Sequence, residues 1–239
     1  MPPNHFVATA FAHRRPSLRT GVRSLRRRQS LLATVLVAIA IVIGVVAAPG
    51  SRADAVPVSE RTATWIATTA RRTALDLRAV RDLPPAERRG IARRQINELA
   101  DVVAFLLDAD ADALRQVWFD APTDRQIAVF SALSQVGVPY RINADAPFIA
   151  LDCSALTRFA WAQAGLDIER GSQQQYDRAQ RIGRDEVQPG DFVWYPGHIM
   201  MSLGLPELIV HARSGERSVE VHRIDSTRMP WMRWASPLD

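Results

Sequence analysis

A lone cysteine, Cys153, stands between Asp152 and Ser154 in FIALDCSALTRFAWAQAGL, where an apolar helix begins. A thiol in the first turn of a helix faces unpaired backbone N–H groups, which favour its thiolate form. A cysteine nucleophile also needs a base to take its proton and a third group to hold that base in the right tautomer. After residue 55 the chain offers three histidines: His198 after the turn Pro196-Gly197, His211 in LIVHAR and His222 in SVEVHRI. In a hairpin of the first two strands, His198 and His211 can lie side by side and face the cysteine helix, as base and orienting residue. On the last strand Val219 and Val221 point one way, so His222 points the other way and is expected in solvent. A zinc site of the Cys-His-His type is a weak alternative, because the chain has neither C-x-x-C nor H-x-x-x-H spacing.

The elements that must position these groups follow from periodicity. APTDRQIAVFSALSQVGVPY predicts a helix with Thr123 or Asp124 as N-cap, an apolar stripe of Ile127, Phe130, Leu133 and Val136, and Gly137 as its end. A second helix is expected from Cys153 to about Ala164. Then the period changes to that of strands: DFVWY, HIMMSLG, LIVHAR and SVEVHRI are short runs separated by turn residues, the pattern of an antiparallel meander. Helices first and strands afterwards imply an α+β fold, with helices packed on an antiparallel sheet.

Upstream, residues 56–118 read as a helical hairpin that spaces or shields the next unit. Trp65, Ile66, Ala70, Ala74, Leu77 and Val80 keep helical spacing, Pro84-Pro85 breaks it, and Ile91, Ile96, Leu99, Val103 and Leu106 resume it. Without Cys or His, this region can supply neither nucleophile nor imidazole base. Residues 119–239 form the candidate catalytic unit.

The charge is uneven. Of 30 basic residues, all arginine, eight precede residue 55 against one acid, Asp54; the remaining 22 arginines face 24 acids, so the net +5 belongs to the N-terminus. The body of the protein has no basic footprint for nucleic acid. Within residues 1–55, the arginine run is followed by Leu31 to Ala48, almost wholly apolar, and by the small-residue site Ala53-Asp54-Ala55, as in a secretory signal. A retained anchor is the alternative, since 18 residues at ~1.5 Å rise fall just short of a hydrocarbon core. Either way, the chain beyond residue 55 is expected to be exported. In an oxidising compartment an unpaired cysteine is accidental, intermolecular or reactive.

Five segments in order, SALSQVGVPYRI, LDCSALTRFAWAQAGL, ERGSQQQYDRA, VQPGDFVWYPGHIMMSLG and LIVHARSG, resemble successive motifs of the NlpC-type cysteine peptidases, papain-like cell-wall hydrolases. The resemblance covers about residues 122 to 225. It implies Cys153 as nucleophile, His198 as base and His211 as third member, with Tyr140 lining the site and Asp152 and Ser154 flanking the substrate. It also implies peptidoglycan as the partner, with hydrolysis of stem-peptide amides such as the bond between D-glutamate and meso-diaminopimelate or lysine. No metal or other cofactor is implied. Two positions depart from the family: Pro139-Tyr140 is followed by Arg141-Ile142-Asn143-Ala144 instead of a Trp-Gly-Gly segment, and Ala155 replaces the glycine after Asp-Cys-Ser. The alternatives are a catalytically weak wall-binding scaffold of the same fold, or an amidase or acyltransferase on another substrate.

Overall fold

The computed structural model describes residues 58–215 and 217–238; the expected signal or anchor within residues 1–55 lies outside them. Among the described residues no helix is long and apolar enough to cross a membrane.

Four helices lead the described residues: α1 (Glu60–Ala79), α2 (Pro85–Leu107), α3 (Ala111–Asp120) and α4 (Thr123–Leu133). Ser59 caps α1 by accepting the Thr62 amide, Pro85 opens α2 at the one position where a missing N–H costs nothing, and Asp110 caps α3. The expected hairpin is therefore three helices. Its apolar stripe is also shifted in part, for Ile91 is exposed while Ala92 and Ala100 are buried. Helix α4 has Pro122, not Thr123 or Asp124, at its N-cap position, with no side-chain capping bond, and ends four residues before Gly137.

A short hairpin, β1 (Asp145–Ala146) with β2 (Ala150–Leu151), leads into α5 (Cys153–Ala164) and α6 (Ser172–Arg178). The remaining strands are β3 (Gln180–Ile182), β4 (Pro189–Tyr195), β5 (His198–Leu203), β6 (Leu208–Ala212), β7 (Val219–Arg223) and β8 (Arg233–Ser236). They form one sheet in the order β3-β8-β4-β5-β6-β7, with every pairing antiparallel. The meander β4 to β7 matches the expected strands, and the fold is α+β. The return of β8 to lie between β3 and β4 has no counterpart in the sequence reading.

Hydrophobic packing does not break at residue 118. Ile66 and Leu77 of α1, Ile96, Leu99 and Val103 of α2, and Leu114 and Trp118 of α3 join Phe130 of α4, Trp161 of α5 and Met201 and Val210 of the sheet in one buried cluster. Trp118 ties the layers together: its Nε1 donates to the Leu203 carbonyl at 2.7 Å and its ring meets Phe130 edge to face at 5.2 Å.

The Pro-Gly-Asp segment before β4 has a structural reason. Asp191 is fully buried and pairs with Arg125 of α4 at 2.6 Å, and Arg125 also donates to the Pro189 carbonyl and the Ser236 hydroxyl. A buried pair of this kind holds helix and sheet in one register, and losing one partner strands a charge. Gly190, at φ +89°, lies where a Cβ would come within 2.9 Å of the Trp161 ring. Only glycine fits there.

Candidate active site

Asp152 caps α5 by accepting the Ala155 amide at 2.8 Å, and Gly165 ends the helix at φ +93°. These two local signals place Cys153 at the first helical position, as the sequence implied. The amides of Ile199, Ser154 and Cys153 lie near enough to the thiol to favour its ionised form. Ile199 follows His198, so the helix start and the start of β5 meet at the thiol.

His198 Nε2 and His211 Nδ1 are 2.9 Å apart, with both residues buried. Register explains the meeting. Met201 pairs with Val210 and Ser202 with Ile209, so His198 and His211 are diagonal neighbours on one face of β5 and β6. With Nε2 engaged, Nδ1 of His198 is the nitrogen left to take a thiol proton.

The same face carries two more groups. His211 pairs across the ladder with Glu220, and Ile209 pairs with His222. His222 is therefore not in solvent as expected: it is half-buried, with its ring centroid 5.6 Å from that of His211. The alternation was read correctly, but the second face of the sheet at this point is the site itself. Glu220 was missed, and its alternation with Val219 and Val221 was the only signal for it. Its carboxylate lies 3.7 Å from His211 Nε2 and accepts from Arg213 at 2.8 Å and Arg217 at 2.7 Å.

Charge states differ from the sequence expectation. Burial pushes the Cys153 thiol up, with the neighbouring Asp152 charge adding to it, and the Ile199, Ser154 and Cys153 amides do not offset the rise. Burial, then the neighbouring His211, drives His198 down to about 3. Desolvation penalises a thiolate and an imidazolium alike, so burial favours the neutral form of both Cys153 and His198. The thiolate that the helix N-terminus favours is thereby opposed by burial. Burial also raises the Glu220 carboxyl, but His211, Arg213 and Arg217 together pull it down to about 2, leaving a carboxylate behind His211.

Tyr140 is half-buried beside the thiol: burial raises its phenol, and the proximity of Cys153 and Asp152 raises it further. Asp152 and Ser154 lie next to Cys153 but are occupied. Arg170 donates to both Asp152 oxygens, at 3.0 and 2.6 Å, and to the Ser154 hydroxyl at 2.9 Å, while that hydroxyl donates to Asp152. Burial would lift Asp152, yet Arg170 and the Ala155 amide hold it below the usual carboxylate range. Arg170 belongs to the ERGSQQQYDRA segment and had no role assigned to it.

The segment after Tyr140, where the expected glycines are absent, still uses left-handed backbone: Asn143 has φ 60° and Phe148 φ 67°. A bulky residue pays for such a torsion, and Phe148 is held by its amide donating to Gln135 Oε1 at 2.7 Å and by Phe159 packing at 5.7 Å. Arg71 of α1 lies over the same ring, 4.7 Å from its centroid. The leading helices thus touch the loop that borders Tyr140. A separate cavity of about 690 Å³, lined by Tyr176, Arg181, Trp234 and neighbours, includes none of the site residues.

Residues 137–234 match the sequence profile of the NlpC/P60 family. That stretch is similar to NlpC/P60 domains. Among curated relatives, the chain is 33% identical over 108 residues to dipeptidyl-peptidase 6 of Lysinibacillus sphaericus, covering 45% of this chain and 39% of that protein. It is 30% identical over 133 residues to a probable endopeptidase of Corynebacterium glutamicum strain R, covering 54% and 62%. A third, the bifunctional muramidase/DL-endopeptidase CwlT of Bacillus subtilis, is 33% identical over 66 residues, covering 28% and 20%. The chain spans less than two thirds of each of these relatives. Cys153, His198 and His211 all lie inside the matched range.

Proposed function

We propose that this chain is an exported cysteine endopeptidase that hydrolyses amide bonds in peptidoglycan stem peptides. The observation that carries the reading is the 2.9 Å bond between His198 Nε2 and His211 Nδ1, with the amide of the next residue, Ile199, near the thiol at the start of α5. The endopeptidase names of relatives and the basic-then-apolar run within residues 1–55 support it. Residues 119–239 carry the chemistry and residues 56–118 brace it.

In this mechanism Cys153 Sγ attacks the amide carbon as its proton passes to His198 Nδ1, and the resulting imidazolium is stabilised through His211 and the Glu220 carboxylate. The oxyanion is held by amides at the start of α5. Collapse breaks the C–N bond, His198 gives its proton to the departing amine, and water then hydrolyses the thioester with His198 as base. Tyr140 lines the cleft. Asp152 and Ser154, cross-linked by Arg170, border it on the substrate's flank. The bond cut is the D,L bond after D-glutamate.

The test is incubation of the purified chain with whole peptidoglycan and mass analysis of released fragments. The parent should free peptides ending at D-glutamate, and Cys153→Ala should release none while melting like the parent. An inactive folded parent, or an active Cys153→Ala, would refute the proposal.

A further inference from the structure

We propose that His211, Glu220 and His222 form a binding site for a divalent metal ion of the zinc type, and that its occupancy disables His198 as a base. Their donor atoms all lie within 4.8 Å of one another. They converge because β6 and β7 pair in the register His211 with Glu220 and Ile209 with His222, which puts all three side chains on one face. Two imidazoles and one carboxylate with a position left open is a donor set that suits zinc and poorly suits calcium or magnesium.

A second, independent observation points to a ligand. The His211 side chain is only 9% exposed, yet its buried Nε2 has no hydrogen-bond partner among the described residues, and the nearest carboxylate oxygen, Glu220 Oε1, is 3.7 Å away. An orphaned buried ring nitrogen calls for an explanation. A metal between it and Glu220 supplies one. Tetrahedral zinc with bonds of about 2.0–2.1 Å brings its ligands to roughly 3.3 Å of one another, so half-exposed His222 must turn inward. Arg213 and Arg217 already bind Glu220, but a carboxylate has about four lone-pair sites, and both arginines are partly exposed and able to swing aside.

The consequence for the site is a matter of proton position. Without metal, His198 can accept the thiol proton at Nδ1 only if its own proton sits on Nε2, donated to His211 Nδ1, which leaves the His211 proton on Nε2. Metal on His211 Nε2 excludes that proton, and a metal-bound imidazole carries its remaining proton on the other nitrogen and donates it outward. The His211 Nδ1–H then donates to His198 Nε2, and the proton of neutral His198 must move to Nδ1, the nitrogen that should face the thiol as an acceptor. The base is occupied without the metal touching it. Metal binding stands independently of the proposed activity; inhibition rests on that activity.

The experiment uses the purified full chain, its Cys153→Ala variant, and Cys153→Ala combined with Glu220→Gln or with His222→Ala, each checked for folding by circular dichroism. Cobalt(II) is titrated as a spectroscopic probe and displaced with zinc. One cobalt per chain should bind with a tetrahedral-type visible band in both the parent and Cys153→Ala, and affinity should fall at least tenfold with either further substitution. Nitrogen-15 spectra of the histidines should move the His198 proton from Nε2 to Nδ1 when zinc is added, and wall hydrolysis should fall with zinc and return with a chelator. No stoichiometric binding, binding indifferent to both substitutions, or binding lost with Cys153→Ala alone would overturn the site. An unmoved His198 proton in the zinc-bound chain would overturn the switch. The binding and proton readouts decide both points even if the chain proves inactive on peptidoglycan.

Discussion

Replacing Trp118 by alanine tests whether the leading helices are a detachable cover or part of the catalytic unit's own core. Trp118 is 1% exposed, donates to the Leu203 carbonyl and packs edge to face on Phe130. Emptying a site of that size costs about 3–5 kcal/mol. Leaving the buried Leu203 carbonyl without its donor costs about 1–3 kcal/mol more, partly overlapping with the first figure. A total near 5 kcal/mol is a large share of the roughly 5–15 kcal/mol that holds a domain folded. In urea, with a slope of about 2–3 kcal/mol per M for a chain of this size, the midpoint should fall by roughly 2 M. Trp231→Ala, at a position 72% exposed, is the control and should leave the midpoint nearly unchanged. If Trp118→Ala lowers stability by less than about 1 kcal/mol, α3 is peripheral and a chain beginning at residue 119 stands alone; with α1 to α3 packed into the common core, such a chain should not fold.

The charge states lead to two further outcomes. Alkylation of Cys153 by iodoacetamide should show an inflection higher than that of a free cysteine measured alongside it and should be slower at neutral pH; an inflection near or below 7 would show that the helix N-terminus outweighs burial. Acid should also destabilise the fold. His198 binds its proton at about 3 when folded and at 6.5 in the reference state, so the unfolded chain takes up protons first. The His198 contribution is therefore fully present above pH 6.5 and is lost towards pH 3 at up to about 1.4 kcal/mol per pH unit, and His222, held down to about 4, adds a loss of the same sign towards pH 4. Glu220, held at about 2 against 4.5, adds its own loss only below pH 4.5. Denaturation midpoints of parent and His198→Gln should diverge in slope between pH 6.5 and 4.5, and parallel curves would show that His198 is not the group responsible.

Parts of this protein were legible because their causes are local. Asp152, Cys153 and Gly165 define α5 from within fourteen residues, since capping needs only a side-chain oxygen at one end and a left-handed glycine at the other. The strands β4 to β7 were legible because alternation and turn residues act between neighbours in sequence. The same alternation shows that Glu220 and His222 share a face, but only the β6–β7 register puts that face against His211. Other decisions needed contacts between distant parts of the chain. The bond of Trp118 to Leu203 joins residues 85 apart, and that of Arg125 to Ser236 joins residues 111 apart; neither leaves a periodic trace. The protonation of Cys153 and His198 likewise depends on how much water the whole fold excludes. A helix N-terminus alone argues for a thiolate, whereas burial in the folded protein reverses the sign, because desolvating an ion costs more than a few amide dipoles return.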